Sequence, residues 1–171
     1  MALNEKKVLM VVAPHRFQDE EYEITRKVLE SRGVQVKVAS TSAGECRGGG
    51  GLSVRATEKL EEVKYYDFDA IVFVGGDGAR TLAEHEKAQK LAKDAEYKVL
   101  GAIGAATAIL ANGGVVKGKR VTGDPSTAGS VRAKEGTYTA QPIEVDNKLV
   151  TARDQRYAEY FGNGLLEALQ K

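Results

Sequence analysis

Cysteine, tryptophan, histidine and proline are all scarce in this chain of 171 residues, and the shortages exclude whole classes of function. A single cysteine, Cys46, excludes a disulfide scaffold. Two histidines, His15 and His85, argue against a histidine-built zinc centre, which usually takes about three protein ligands, so neither metal nor cofactor is expected. No apolar run approaches the ~20 residues of a membrane span. The stretch Met1-Ala2-Leu3-Asn4-Glu5-Lys6-Lys7 has neither the apolar segment nor the small-residue cleavage site of a signal peptide. Charge of one sign is also missing. With 25 Lys and Arg against 24 Asp and Glu, the net charge of +1 leaves no basic surplus for a phosphate backbone. The expectation is a cytoplasmic, soluble protein of one domain over residues 1–171, with no nucleic-acid or membrane partner.

What is present is glycine, 19 residues with three clusters, set in an alternation of strand and helix patterns. Lys7–Ala13 is a short Val-rich apolar run, as in a strand buried on both faces. Glu20–Arg32 places Ile24, Val28 and Leu29 at helical spacing and stops at Gly33. Val34–Ala39 alternates as a strand, and Leu52–Arg55 reads as a short strand after the bend Gly48–Gly51. Ala70–Val74 and Val99–Ile103 are further buried strands, with a helix over Arg80–Glu96 between them and a small-residue helix, Ala105–Asn112, after. Ile143–Val145 and Leu149–Thr151 flank a turn, and Tyr157–Leu169 closes the chain as a helix. This order predicts an α/β fold with a parallel central sheet between helices. Ligands in such folds sit beyond the carboxyl ends of the strands. The segment after Ala13, Gly75-Gly76 and Gly104 are therefore the places to search.

Each strand end has a structural and a chemical reading. Gly75-Gly76-Asp77-Gly78 is either a tight turn or a loop whose N–H groups face an anion. It is neither a Walker A loop nor the dinucleotide-binding fingerprint. Ile103-Gly104-Ala105-Ala106 has the strand-to-helix topology of a nucleophile elbow, yet glycine stands where an Oγ or Sγ is needed. Thr107 reads as a helix cap. Asp19-Glu20-Glu21 suits a first helical turn through the macrodipole, and a carboxylate turned into the strand-end cleft is an acid or base candidate.

Four segments together, Phe17–Glu21, Phe73–Gly76, Ala102–Ala105 and Lys117–Thr122, resemble the ThiJ/PfpI (DJ-one) superfamily across essentially the whole chain. The resemblance implies a flavodoxin-like sheet, a homodimer or larger homo-oligomer, and the activities assigned to members: intracellular peptidase, glyoxalase, deglycase, chaperone or redox sensor. It implies that Glu21 approaches the elbow and that backbone amides of Gly75, Gly76, Gly104 and Ala105 form the oxyanion hole. The elbow cysteine of that superfamily corresponds to Gly104. The histidine that often follows the cysteine corresponds to Ala105, and the alternative histidine before a proline corresponds to Asp124, ahead of Pro125.

Other candidates stand beside these. Cys46, next to Arg47, reads as a surface or interface cysteine. His85, between Glu84 and Glu86, reads as a solvated side chain on a helix, and His15 as a ligand contact in the first strand-end loop. Arg153 and Asp154 end a strand and line the cleft or pair with each other. Tyr65-Tyr66 and the segment around Cys46 are candidate oligomer contacts. Three functions stay open. One is a small-molecule-binding or regulatory module without cysteine chemistry, its elbow a small cavity lined by amides and Glu21. A second is an enzyme using Glu21 and Asp124 around a water. The third is a peptidase, glyoxalase or deglycase whose elbow cysteine has been replaced. A Glu21 pKa in the ordinary carboxylate range is expected to leave it a weak base.

Overall fold

Side chains of the first strand, β1 (Lys7–Val11), alternate between the two faces of the sheet: Val8 and Met10 point to one side, Leu9 and Val11 to the other, and all four are fully buried. The computed structural model describes residues 2–171. After β1 come β2 (His15–Phe17), α1 (Asp19–Ser31), β3 (Gln35–Ser40), β4 (Gly44–Gly48), β5 (Ser53–Ala56) and β6 (Glu58–Lys59). The middle of the chain forms β7 (Ala70–Phe73), α2 (Gly78–Ala83), α3 (Glu86–Asp94), β8 (Val99–Ile103) and α4 (Thr107–Asn112). The last third forms β9 (Arg120–Val121), α5 (Ala128–Ala133), β10 (Thr137–Tyr138), β11 (Ile143–Asp146), β12 (Leu149–Ala152) and α6 (Ala158–Gln170).

Seven strands make the main sheet in the order β11-β12-β8-β7-β1-β3-β6. From β12 to β6 neighbouring strands are parallel, and β11 pairs antiparallel with β12. The sheet is therefore mixed at one edge, where the pattern predicted parallel strands throughout. The turn Asp146-Asn147-Lys148 is the reason: a connection that short allows only an antiparallel return. Helices cover both faces. Tyr22 and Leu29 of α1 join Phe161, Leu165 and Leu166 of α6 on the face of Val8 and Met10. Leu82, Leu91, Ile109, Leu110 and Val131, from α2 to α5, cover the face of Leu9 and Val11. Each such large side chain taken fully out of water contributes roughly 1.5–3 kcal/mol.

Two local expectations change. The helix over Arg80–Glu96 is two helices, broken where His85 adopts an extended backbone and its Nδ1 accepts from Lys87 N at 3.2 Å. The Gln89 and Asn112 side chains both donate to Ala83 O at 2.8 Å, so the carbonyl freed by the break is satisfied. His85 is thus a helix cap. The segments around the glycine run form a separate three-stranded sheet, β2-β4-β5, that the pattern did not predict beyond part of β5. Strands of three to five residues leave little periodicity to read.

Candidate functional site

Strand order reverses at β1, which has β3 on one side and β7 on the other, so the cleft belongs at the carboxyl ends of β1 and its neighbours. α1 starts there. Its N-cap, Gln18, accepts from Glu21 N through Oε1 at 2.7 Å and donates its own N–H to Gly75 O at 2.9 Å. These two bonds tie the first turn of α1 to the end of β7 and aim Glu21 at the sheet. Glu21 Oε1 then accepts from Gly75 N at 2.8 Å.

Gly75 and Gly104 are glycine because the chain is crowded at these two points. A Cβ on Gly75 would lie 2.5 Å from Ile103 O and 2.6 Å from Glu21 Oε1. Gly104 has φ +65°, and a Cβ there would overlap Glu21 Oε2 and lie 3.1 Å from the carboxyl carbon. The small cavity expected over the elbow is accordingly filled by the Glu21 carboxyl group. The oxyanion-hole expectation changes with it, since the Gly75 amide is already committed to Glu21.

Only 2% of Glu21 is exposed. Burial pushes its pKa up to about 8; the Gly75 hydrogen bond opposes this, and the nearby charges of Asp154 and Asp124 add to it. The ordinary pKa expected from the sequence is overturned, and desolvation is the reason. At neutral pH Glu21 is mostly protonated. Because Oε1 accepts from Gly75 N, the proton belongs on Oε2, the oxygen nearest Gly104.

The other candidates fall in different places. Asp124 stands beside the elbow, its N–H donating to Gly104 O at 2.9 Å. Its carboxylate accepts from Ser126 N at 2.9 Å and lies 3.9 Å from Arg80. Ala105 is buried in the 3-10 turn Gly104–Ala106 that leads into α4, and the Thr107 hydroxyl donates to Thr122 O at 2.8 Å. Arg153 directly follows β12, whose last residue, Ala152, is paired with Ile103, the residue before Gly104. Arg153 does not pair with Asp154, which is held instead by Arg156 at 2.8 Å. His15 is exposed on β2 and lines a surface hollow of about 530 Å³ with Arg16, Arg47, Gly48 and Gly49. Gly76 faces a neighbouring hollow of about 690 Å³ with Arg16, Gln18 and Asp19.

Cys46 is 1% exposed, on β4 opposite Val54 and packed in the apolar layer that includes Phe17 and Tyr22. The reading of a surface cysteine is corrected by that burial, and Arg47 is paired with Glu45 at 2.9 Å. Tyr65 packs against the core while Tyr66 is 63% exposed, so the two are not equally available to a partner. Sequence reasoning missed Tyr138, whose hydroxyl donates to Gly123 O at 2.8 Å, and Arg80, which reaches Asp124 and Ser126. Arg80 closely follows the glycine turn after β7 and was findable on that ground; Tyr138 has no local signal.

The DJ-1/PfpI family model matches residues 6–168. An uncharacterised protein of Methanocaldococcus jannaschii is 36% identical over 170 residues, covering 96% of this chain and 83% of that protein. A protein of Pyrococcus abyssi named a deglycase is 29% identical over 147 residues, covering 85% of this chain and 89% of its own. Among solved structures, a ThiJ/PfpI domain protein from Brachyspira murdochii superposes with a TM-score of 0.93 at 31% identity, covering 99% of this chain and 98% of the other.

Proposed function

The chain belongs to the DJ-1/PfpI family, and on that premise we propose that it is a member without cysteine chemistry, a small-molecule-binding or regulatory module whose working polar group is the protonated carboxyl of Glu21. One observation carries this reading: the elbow residue is Gly104, with the Glu21 carboxyl seated against it. Cys46, the sole thiol of the sequence, is buried in a different sheet. A neutral carboxyl offers a donor on Oε2 to a carbonyl or hydroxyl oxygen over the elbow, close to the Ala105 amide. Asp124 stands beside it, its N–H on Gly104 O.

The test is turnover of methylglyoxal and of a casein-type substrate by the purified protein, before and after iodoacetamide, beside Gly104→Cys. No thiol-dependent turnover is expected from the unaltered chain. Turnover abolished by iodoacetamide overturns the reading, because only Cys46 is there to be blocked. Gly104→Cys must displace the Glu21 carboxyl to fit its Cβ, and is expected to create a reactive thiol if the shifted carboxyl, still protonated, donates to the thiolate and stabilises its charge.

A second reading rests on the raised pKa of Glu21. A carboxyl titrating near 8 is matched to general acid–base work at neutral pH, with Asp124 nearby and a water as nucleophile. That reading makes the protein a deglycase-type or hydrolase-type enzyme, in keeping with the name of the Pyrococcus abyssi relative. Turnover insensitive to iodoacetamide and lost in Glu21→Gln would establish it in place of the first. In either case we propose a cytoplasmic homodimer or larger homo-oligomer, with the exposed Tyr66 near the contact. Light scattering giving a mass near 18.4 kDa at micromolar protein would refute the dimer.

A further inference from the structure

The amino ends of β8 and β12 are built differently from their carboxyl ends. At the carboxyl ends the Glu21 carboxyl fills the space over Gly104. At the amino ends there is a hollow of about 610 Å³, within the ~300–1,000 Å³ usual for small-molecule sites. Its base is apolar: Leu100 and Leu149, partners in the strand register, with Val115 after α4 and Ala168 near the end of α6, all four buried. The hollow between α1 and β5 is larger, about 870 Å³, but Glu23, Arg26, Lys27, Glu30 and Arg55 make its lining charged. Four residues of strand separate Leu100 from Gly104, roughly 13 Å.

Around the mouth of the apolar hollow the charges do not balance. Lys119 is fixed there through its backbone, which donates to Val116 O and accepts from Thr137 N, both at 2.9 Å. Lys148 is fixed in the same way, its carbonyl accepting from Leu100 N at 2.9 Å. Among the described residues neither ammonium group enters an ion pair. The acids of the rim are already matched, Glu96 by Lys93 at 3.0 Å and Asp146 by the N–H of Arg120 at 2.9 Å. Lys171 also borders the hollow; with it left aside, two cations still have no acid of their own. Tyr97 completes the rim with a side chain that is 84% exposed.

We propose that this hollow is a second ligand site and that its ligand is an aromatic monocarboxylate. An aromatic body leaves water for the apolar base and meets the Tyr97 ring at the rim. Its single carboxylate accepts charge-assisted hydrogen bonds from the lysine ammonium groups. Other ligand classes lack one of these matches. A neutral ring leaves both ammonium groups as they are, and a cation adds to a positive surplus. Inorganic phosphate has no apolar surface to bury, and the carboxylates of Glu96 and Asp146 disfavour its second charge. The site stands apart from the reading of the elbow, because Glu21, Gly75 and Gly104 do not border it.

The test is an NMR titration of the full chain, labelled with 15N, at pH 7 with 1-naphthylacetate, 1-naphthylacetamide, acetate and inorganic phosphate as probes. Naphthylacetate at millimolar concentration is expected to shift the Leu100, Leu149 and Ala168 amides saturably and to leave Gly75 and Gly104 unmoved. The other three probes are expected to bind at least about tenfold more weakly. Lys119→Gln combined with Lys148→Gln is expected to weaken naphthylacetate about tenfold and to leave naphthylacetamide unchanged. Tyr97→Ala, at an exposed side chain, is expected to weaken both about threefold. Unchanged spectra of the free variants certify the fold, and if the double variant does not fold, Lys148→Gln alone decides. The proposal is overturned if no saturable shift appears, if naphthylacetamide or phosphate binds as tightly as naphthylacetate, or if the lysine variant binds undiminished. Glu21→Gln is expected to change nothing here; loss of binding in that variant, or shifts at Gly75 and Gly104 instead, would assign the ligand to the elbow and overturn the proposal as well.

Discussion

Two glycine-rich turns each receive a carboxyl group from the first turn of α1, and they use it in opposite ways. The turn Gly48–Gly51 takes Asp19, whose two oxygens accept from Gly50 N and Leu52 N at 3.0 Å. The ends of β7 and β8 take Glu21, which meets one amide, Gly75 N, at 2.8 Å and is shut away from water. Asp19 is half-buried with both oxygens bonded, so its charge is compensated and its work is to pin a loop. Glu21 has one oxygen bonded and the other pressed on Gly104, so the neutral form is favoured. Two acids two residues apart are thus a structural tie and a proton carrier, and solvent access is what separates them.

The largest effect expected from disturbing this contrast is on pH dependence. The folded pKa of Glu21, about 8, lies above the ordinary glutamate value of about 4.5, so between those values the folded state holds a proton that the unfolded state has lost. Its contribution is fully present below about pH 4.5 and is lost as the pH rises through about 8. If the whole shift is realised, the loss amounts to roughly 4–5 kcal/mol. Glu21→Gln, which resembles the neutral acid, is expected to melt at a nearly constant temperature from pH 5 to 8, while the unaltered protein loses stability over the same interval. Equal slopes in the two melting series would refute the raised pKa.

Gly104→Ala should come next, at about 2–3 kcal/mol of destabilisation by urea unfolding, from a positive φ and displacement of the Glu21 carboxyl. A cost near zero would mean that Glu21 leaves the elbow easily. Asp19→Ala should cost about 1–2 kcal/mol for its two hydrogen bonds to backbone amides. Because these bonds pin a loop, hydrogen exchange should quicken at Gly50 and Leu52 but not at Gly75. The smallest effect is at Cys46. It should resist a thiol reagent until the protein unfolds, and Cys46→Ala should leave ligand binding unchanged; fast native-state labelling would contradict its burial.

Much of the architecture was legible in the residues. Val8–Val12, Ala70–Val74 and Val99–Ile103 are runs that only a doubly covered strand tolerates, and each lies in the main sheet or continues from it. The first turn of α1 and the glycines after β7 and β8 were legible as a possible meeting point, because strand-end topology brings such segments together. The break at His85 and the small sheet holding Cys46 were not. Each depends on contacts made elsewhere: Ala83 O on Gln89 and Asn112, β4 on β2 and β5.

By itself the sequence determined which residues are apolar, where the chain must turn and that no thiol stands at Gly104, since these follow from residue identity and short-range periodicity. Tertiary structure alone decided that burial raises the pKa of Glu21, that Cys46 is sealed in an apolar layer and that Arg153 Nε is buried without a hydrogen-bond partner. The physical reason is common to all three. Desolvation and pairing depend on what surrounds a group in space, and much of that surrounding comes from distant parts of the chain, as when Gly75, 54 places on, meets Glu21.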